Sequence, residues 1–374
     1  MTHISTQKYK NMRLLQYNPN VAMHSNNYNL PGIERFSKFF KIFNPTVVLI
    51  DRTDTVQIPI HVKSLFPMPA LRPTSKSFEQ ICDERASELL LRAETLGIIL
   101  HVFYSGGIDS TLLLISLLKN ATPAQKANIV VLMSDDSIRE NPNFYQNFIR
   151  GKLRVDSVNL YPYLLGNNHM FVGGEHNDQL FGSDMMGKLI ARFGDSVIHQ
   201  PYSRDTFFTF FNEKLDDEAS TNFYLDMFER LKDAAPVNIA TSQDYLWWIN
   251  FSLKWQSVFM RMLTCVSSRN ISRINADYIA THYNHFYGTE DFQLWSMNNL
   301  DKKIKDTWKT YKWVCKDIIY DYTKDADYRD NKIKVGSLSS VMQHQNYFNF
   351  IDESMKFWTE LDPKEYYNPS NDFA

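Results

Sequence analysis

Hydrophobic positions in the middle of the chain change period abruptly. Phe78, Ile81, Leu89, Ala93 and Leu96 recur near a helical spacing, and Gly97 follows them. This predicts an amphipathic helix that starts at Ser75 and stops at the glycine. Residues 98–104 are then almost continuously apolar, which predicts a buried strand. A polar turn at 105–109 leads into a helical stretch through Leu118, and Ile129–Met133 forms a second apolar block. Strand, turn, helix, strand is the unit of an α/β fold with a doubly wound, mainly parallel sheet and flanking helices. Residues 170–172 predict a third short strand. Residues 205–265 and 302–321 carry helical patterns, giving a helical C-terminal part. Within the first of these, Trp247, Trp248, Phe251, Trp255 and Phe259 are spaced as a core stripe.

The N-terminal part has a different texture. Residues 1–30 are polar and aperiodic. Residues 46–50 and 56–62 predict two strands of a hairpin around Asp51-Arg52-Thr53-Asp54. Pro67, Pro69 and Pro73 then forbid regular structure. The expected organisation is a small β-containing region at 1–74 and one larger domain at 75–374.

Composition narrows the classes. The 374 residues are 44% hydrophobic and 22% charged, as in ordinary globular enzymes, and 14% aromatic, which predicts a large core. A formal charge of −2 offers no general basic surface for nucleic acid, so a nucleic-acid partner is not expected. Cys82, Cys265 and Cys315 lie far apart with no Cys-x-x-Cys, which argues against a disulfide framework, a zinc site or a cysteine-bound cluster. There is no basic segment leading into an apolar run and no apolar stretch long enough to span a bilayer. The expectation is a cytoplasmic protein with no membrane partner.

Chemistry concentrates where strands end. Residues 105–110 read Ser-Gly-Gly-Ile-Asp-Ser. Gly106 and Gly107 let the backbone approach an anion, and the following helix offers unpaired N–H groups. Ser105 and Ser110 add hydroxyl donors. Asp109 would repel a phosphate, so its natural task is to hold Mg²⁺ against the phosphate oxygens. The segment lacks the Gly-Lys-Ser/Thr of a Walker loop and is not Gly-x-Gly-x-x-Gly. A second strand end, Gly173-Gly174-Glu175-His176-Asn177-Asp178, again joins glycines to acids. Glu175 and Asp178, three apart, offer a second Mg²⁺ or pyrophosphate-side acid and a carboxylate free for proton work; a plain glycine-rich acidic turn is the competing reading.

The first segment resembles the Ser-Gly-Gly-x-Asp-Ser signature of the PP-loop ATP pyrophosphatases. In that superfamily the loop holds the pyrophosphate of ATP while the α-phosphate is attacked. Residues 172–182, with Gly174, Glu175, Asp178 and Phe181, resemble the Gly-Glu-Gly-Ser-Asp-Glu-x-Phe-Gly-Gly motif of the asparagine synthetase branch. The resemblance covers about residues 76–345 and is strong at these two motifs. It implies an adenine nucleotide alpha hydrolase-like fold, and an ATP- and Mg²⁺-dependent ligase that releases pyrophosphate and forms an amide. It further implies that Asp109 and Asp178 hold Mg²⁺ and that Glu175 is the acid/base carboxylate. Two departures stand out: His176 replaces a small residue, and Gln179 replaces an acid.

The later part of the chain matches more loosely. Residues 285–291 resemble the family's Pro-Phe-Leu-Asp segment. Residues 312–319 and 329–332 resemble the stretch that ends in its pyrophosphate-binding lysine, with Lys332 the candidate and Lys334 the alternative. The expected adenine site is the second strand's end, Met133 and Ser134, where Ser134 or Asp135 is in reach of the ribose; a plain acidic surface turn is the competing reading. His282 and His285 read as structural. The family's glutaminase domain and its nucleophilic cysteine have no counterpart before residue 75. The expected partners are therefore a small-molecule acceptor and free ammonia or an amine, or a separate ammonia-supplying or carrier subunit. The alternatives are a nucleobase- or tRNA-modifying enzyme of the superfamily and a non-catalytic nucleotide-binding relative.

Overall fold

The computed structural model describes residues 13–18, 32–36, 38–43, 48–56, 58–182, 184–333, 349–351, 357, 358 and 366. They form two compact units, one from the described parts of 69–190 and 265–345, the other from those of 1–68, 191–264 and 346–374. The proline-rich segment does mark a passage between units. Residues 191–264 and the described parts of 346–374 return to the unit of 1–68, so a single cut at residue 74 does not describe the division.

The unit of 69–190 and 265–345 contains a five-stranded sheet. Its strands are β1 (Ile99–Phe103), β2 (Ile129–Met133), β3 (Arg154–Ser157), β4 (His169–Gly173) and β5 (Tyr283–His285). Their order is β3-β2-β1-β4-β5, and every pairing is parallel. Val102 of β1 lies opposite Val131 on one side and Val172 on the other. β2 is buried along its whole length, as a central parallel strand covered on both faces must be. The α/β reading and its parallel sheet hold. The strand order reverses between β1 and β4, and such a switch point is where open α/β sheets bind ligands.

Local chemistry explains the helices around this sheet. α1 (Phe78–Leu96) starts at Ser77, which forms a capping box with Gln80, and stops at Gly97 in the left-handed conformation. α2 (Ile108–Asn120) follows β1 directly and packs against α1. α3 (Asp135–Glu140) follows β2, and α4 (Asn177–Phe181) follows β4. α5 (Trp313–Thr323) packs on α2, and α6 (Ala326–Asn331) comes next. The helix expected over 302–321 begins only at Trp313. Lys312 stands at φ 59 and ψ 33, a left-handed residue that no continuous right-handed helix accommodates.

In the other unit, Leu14–Gln16, Asn349–Ile351 and Phe357–Trp358 form an antiparallel sheet. Helices Arg204–Leu215, Glu218–Asp233, Ser242–Leu253 and Trp255–Arg261 surround an aromatic core. Trp247, Trp248, Phe251 and Trp255 are fully buried there, as their spacing predicts. Phe259 is only half-buried, against Phe66. The expected hairpin does not form among the described residues, and 46, 47 and 57 lie outside them. Asp51 instead accepts the N–H groups of Thr53, Thr55 and Val56, closing a side-chain-centred turn. The flanking apolar residues bond elsewhere: Ile50 N donates to the carbonyl of Leu253.

Candidate functional site

β1 and β4 are neighbours in register, so the 105–110 loop and the 174–178 turn leave the carboxyl edge side by side. Two glycines let neighbouring backbone come close, Gly106 toward α3 and Gly174 toward the start of α2. Gly106 has φ 78, and a Cβ on it would stand 2.5 Å from the carbonyl oxygen of Ser137. A Cβ on Gly174 would lie 3.1 Å from the carbonyl carbon of Asp109 and 3.2 Å from the nitrogen of Ser110. The second turn therefore rests directly on the first turn of α2. The loop is shaped around its own hydroxyls: Ser105 N donates to Ser110 Oγ at 3.1 Å, and Gly107 N donates to Ser105 Oγ at 3.3 Å. Gly107 is the N-cap of α2, so its end of the loop faces the positive pole of that helix.

Asp109 and Asp178 share one partner, the Lys312 ammonium. Lys312 Nζ donates to Asp109 Oδ1 and Oδ2 at 2.6 and 2.7 Å, and to Asp178 Oδ1 at 2.7 Å. Asn177 Nδ2 adds a bond to Asp109 Oδ1 at 2.7 Å, and Tyr287 Oη holds the Asp109 carbonyl at 2.9 Å. The Lys312 side chain is 1% exposed, while those of Asp109 and Asp178 are 21% and 31% exposed. The ammonium thus reaches the carboxylates from the protein side, and they keep access to solvent. Lys312 is fixed through its backbone: its N–H donates to Lys303 O at 2.9 Å, and its carbonyl accepts from Lys316 N at 3.1 Å. The buried Lys303 ammonium in turn donates to the carbonyls of Leu180, in α4, and Ser296. One residue thereby ties the helix that carries Asp178 to the backbone of Lys312.

The remaining expected residues lie around this centre. Glu175 is half-buried on the turn between Gly174 and α4. His176 is buried at φ 76, and its ring lies 4.5 Å from that of His285. A left-handed backbone at this place is one that glycine adopts most readily, and histidine holds it here. Gln179 is buried in α4. Lys332 does not join the carboxylate pair; it forms an ion pair with Glu140, whose Cβ packs against Gly106. Tyr328 Oη also reaches Gly106 O, at 3.4 Å. Lys316 Nζ donates to the carbonyls of Lys309 and Lys332, and burial pushes this ammonium down to about 8, helped by the charge of Lys332. Lys334 lies outside the described residues.

Met133 ends β2 and Ser134 opens α3, with Ser134 N donating to Ser137 Oγ at 3.2 Å. Asp135 and Asp136 are exposed, and Asp136 pairs with Arg139. His285 bonds Tyr283 Oη at 2.7 Å, and His282 stacks on Tyr278. Cys82, Cys265 and Cys315 are buried. Burial pushes the Cys315 thiol up to about 12, so it stays protonated and offers no nucleophile near Asn177.

The donor set fits Mg²⁺. Two hard carboxylates converge on the Lys312 ammonium beside the 105–110 loop, and a cation with access from solvent would share them with that ammonium or displace it. Among the described residues no group of three or more His, Cys, Asp or Glu could form an all-protein metal cage. Mg²⁺ characteristically uses one or two carboxylates and takes its other ligands from phosphates and water. The sequence reading missed Lys312 as part of this centre. Its carboxylate partners are 203 and 134 positions away in the chain. The only sequence signal was that the loosely matching later stretch begins at this lysine. No helix among the described residues is long and apolar enough to cross a membrane. No protein-family profile, curated protein or solved structure matches the chain.

Proposed function

We propose that this chain is an ATP-dependent, AMP-forming ligase of the asparagine synthetase-like kind. The observation that carries the reading is the convergence of Asp109 and Asp178 on one point, beside the Ser105–Ser110 loop, at the sheet's switch point. In this reading the N–H groups of the loop and of the first turn of α2 bind the pyrophosphate end of ATP. Met133 and Ser134 border the adenosine. Asp109 and Asp178 hold Mg²⁺, which when bound supplies charge neutralisation to the phosphate oxygens. A substrate carboxylate or amide oxygen attacks the α-phosphate, and pyrophosphate leaves. Lys312, paired with Asp109, and Lys332, paired with Glu140 beside the loop, are the cations assigned to the charge that gathers on it. Glu175 takes the proton of the incoming ammonia or amine as the amide forms and AMP departs. The nitrogen comes from free ammonia, an amine or a separate supplying subunit.

A screen of carboxylate and amine pairs, read by phosphorus NMR, tests this. AMP with pyrophosphate is the expected product pair; ADP with orthophosphate overturns the assignment. One observation favours the alternative of a non-catalytic nucleotide-binding protein: Lys312 already neutralises much of the carboxylate charge. That alternative predicts nucleotide binding with no pyrophosphate release for any pair.

A further inference from the structure

We infer that Lys312 makes the Asp109–Asp178 pair selective for a divalent cation that arrives with a polyphosphate, and sets it against the free cation. The inference rests on the ATP reading and adds to it the form in which the metal is taken.

Three observations carry it. Lys312 Nζ lies within 2.7 Å of both carboxylates, so the ammonium stands where their attraction for a cation is greatest. A free divalent ion entering there meets a buried like charge. Second, the Lys312 backbone is fixed, so the ammonium leaves the carboxylates only by rotation of a buried side chain, which costs free energy unless a new anionic partner takes it. Its side chain is 1% exposed and its backbone is pinned on both sides, by Lys303 O and Lys316 N. Third, the Lys316 ammonium, one helical turn on, is committed to the carbonyls of Lys309 and Lys332 and not to the carboxylate pair, which leaves Lys312 as the cation that bridges both carboxylates.

A polyphosphate on the 105–110 loop changes this balance. Its oxygens give the Lys312 ammonium a new anionic partner beside the old ones. The lysine then turns from the carboxylates by side-chain rotation alone, and Asp109 and Asp178 become available to a metal. Nucleotide and metal binding are therefore coupled, each strengthening the other by the same factor.

The test is Mn²⁺ binding to the protein, followed by loss of the free-ion EPR signal with and without α,β-methylene ATP, with the Mn²⁺ chelated by the analogue in a protein-free titration subtracted. Wild-type protein is expected to bind Mn²⁺ alone roughly tenfold or more weakly than Mn²⁺ with the analogue, within the usual span of coupling factors. Lys312→Met and Lys312→Gln should bind Mn²⁺ alone roughly tenfold more tightly than wild type, and Lys312→Arg should resemble wild type. Equal free-Mn²⁺ affinities in wild type and both neutral variants overturn the role of Lys312. Should the variants fail to fold, the wild-type titrations decide: Mn²⁺ bound alone as tightly as with the analogue overturns the inference. A wild type that binds no analogue at all overturns instead the ATP reading beneath it.

Discussion

Glu175 lies in the same five-residue segment as Gly174 and Asp178, and the proposed function gives it a different task from either. Glu175→Gln keeps its size and removes its basicity, so nucleotide affinity should stay within about twofold while product formation falls by roughly 100-fold or more. Parallel calorimetry and turnover assays check this; unchanged turnover removes Glu175 from the proton step. His101 makes a second prediction at the same scale. It is buried in β1 between the rings of His169 and Phe171, and burial, with the neighbouring charges of His169 and Arg154, lowers its pKa to about 4. In the native state it therefore stays neutral until the pH nears 4, whereas the unfolded chain binds the proton below about 6.5. Its contribution is complete above about 6.5 and is lost as pH falls toward 4, to a total on the order of 3 kcal/mol. Denaturant midpoints at pH 7 and pH 4.5 should show a flatter pH dependence for His101→Phe than for wild type. Identical slopes would remove His101 as the source.

At the scale of elements, the site depends on how closely the turn after β4 lies on the first turn of α2. Gly174→Ala puts a Cβ 3.1 Å from the Asp109 carbonyl carbon, an obstacle of backbone that cannot rotate aside. The expected cost is about 1–3 kcal/mol of stability, from overpacking. Nucleotide affinity should drop with it, because displacing the turn separates Asp178 from Asp109. A thermal melt with a nucleotide titration checks both; an alanine variant with wild-type affinity contradicts this packing. The elements differed in legibility for physical reasons. α1, β1, α2 and β2 could be read because each is long, strongly periodic or continuously apolar and bounded by glycine or a polar cap. β3, Arg-Val-Asp-Ser on the sheet edge, is mostly exposed and has no apolar run to detect. β5 has only three residues. The late start of α5 was invisible because a lysine carries no signal for a left-handed backbone.

The whole molecule shows the limit of reading a chain linearly. The Ser105–Ser110 loop and the Gly174–Asp178 turn were legible because each closes a strand, and their meeting followed from parallel topology. Lys312 was not, because only the fold brings it to carboxylates far away in sequence. Nor was the division into units, since nothing in residues 191–264 announces that they pack with the N-terminal part. The central assignment is a nucleotide site built on Asp109 and Asp178, and calorimetric titration of α,β-methylene ATP with Mg²⁺ tests it most directly. Wild-type protein should bind the analogue, and Asp109→Ala should weaken it by roughly 100-fold, the loss of one charge-assisted metal contact worth about 3 kcal/mol. No binding by wild type, or equal binding by Asp109→Ala, would contradict the assignment.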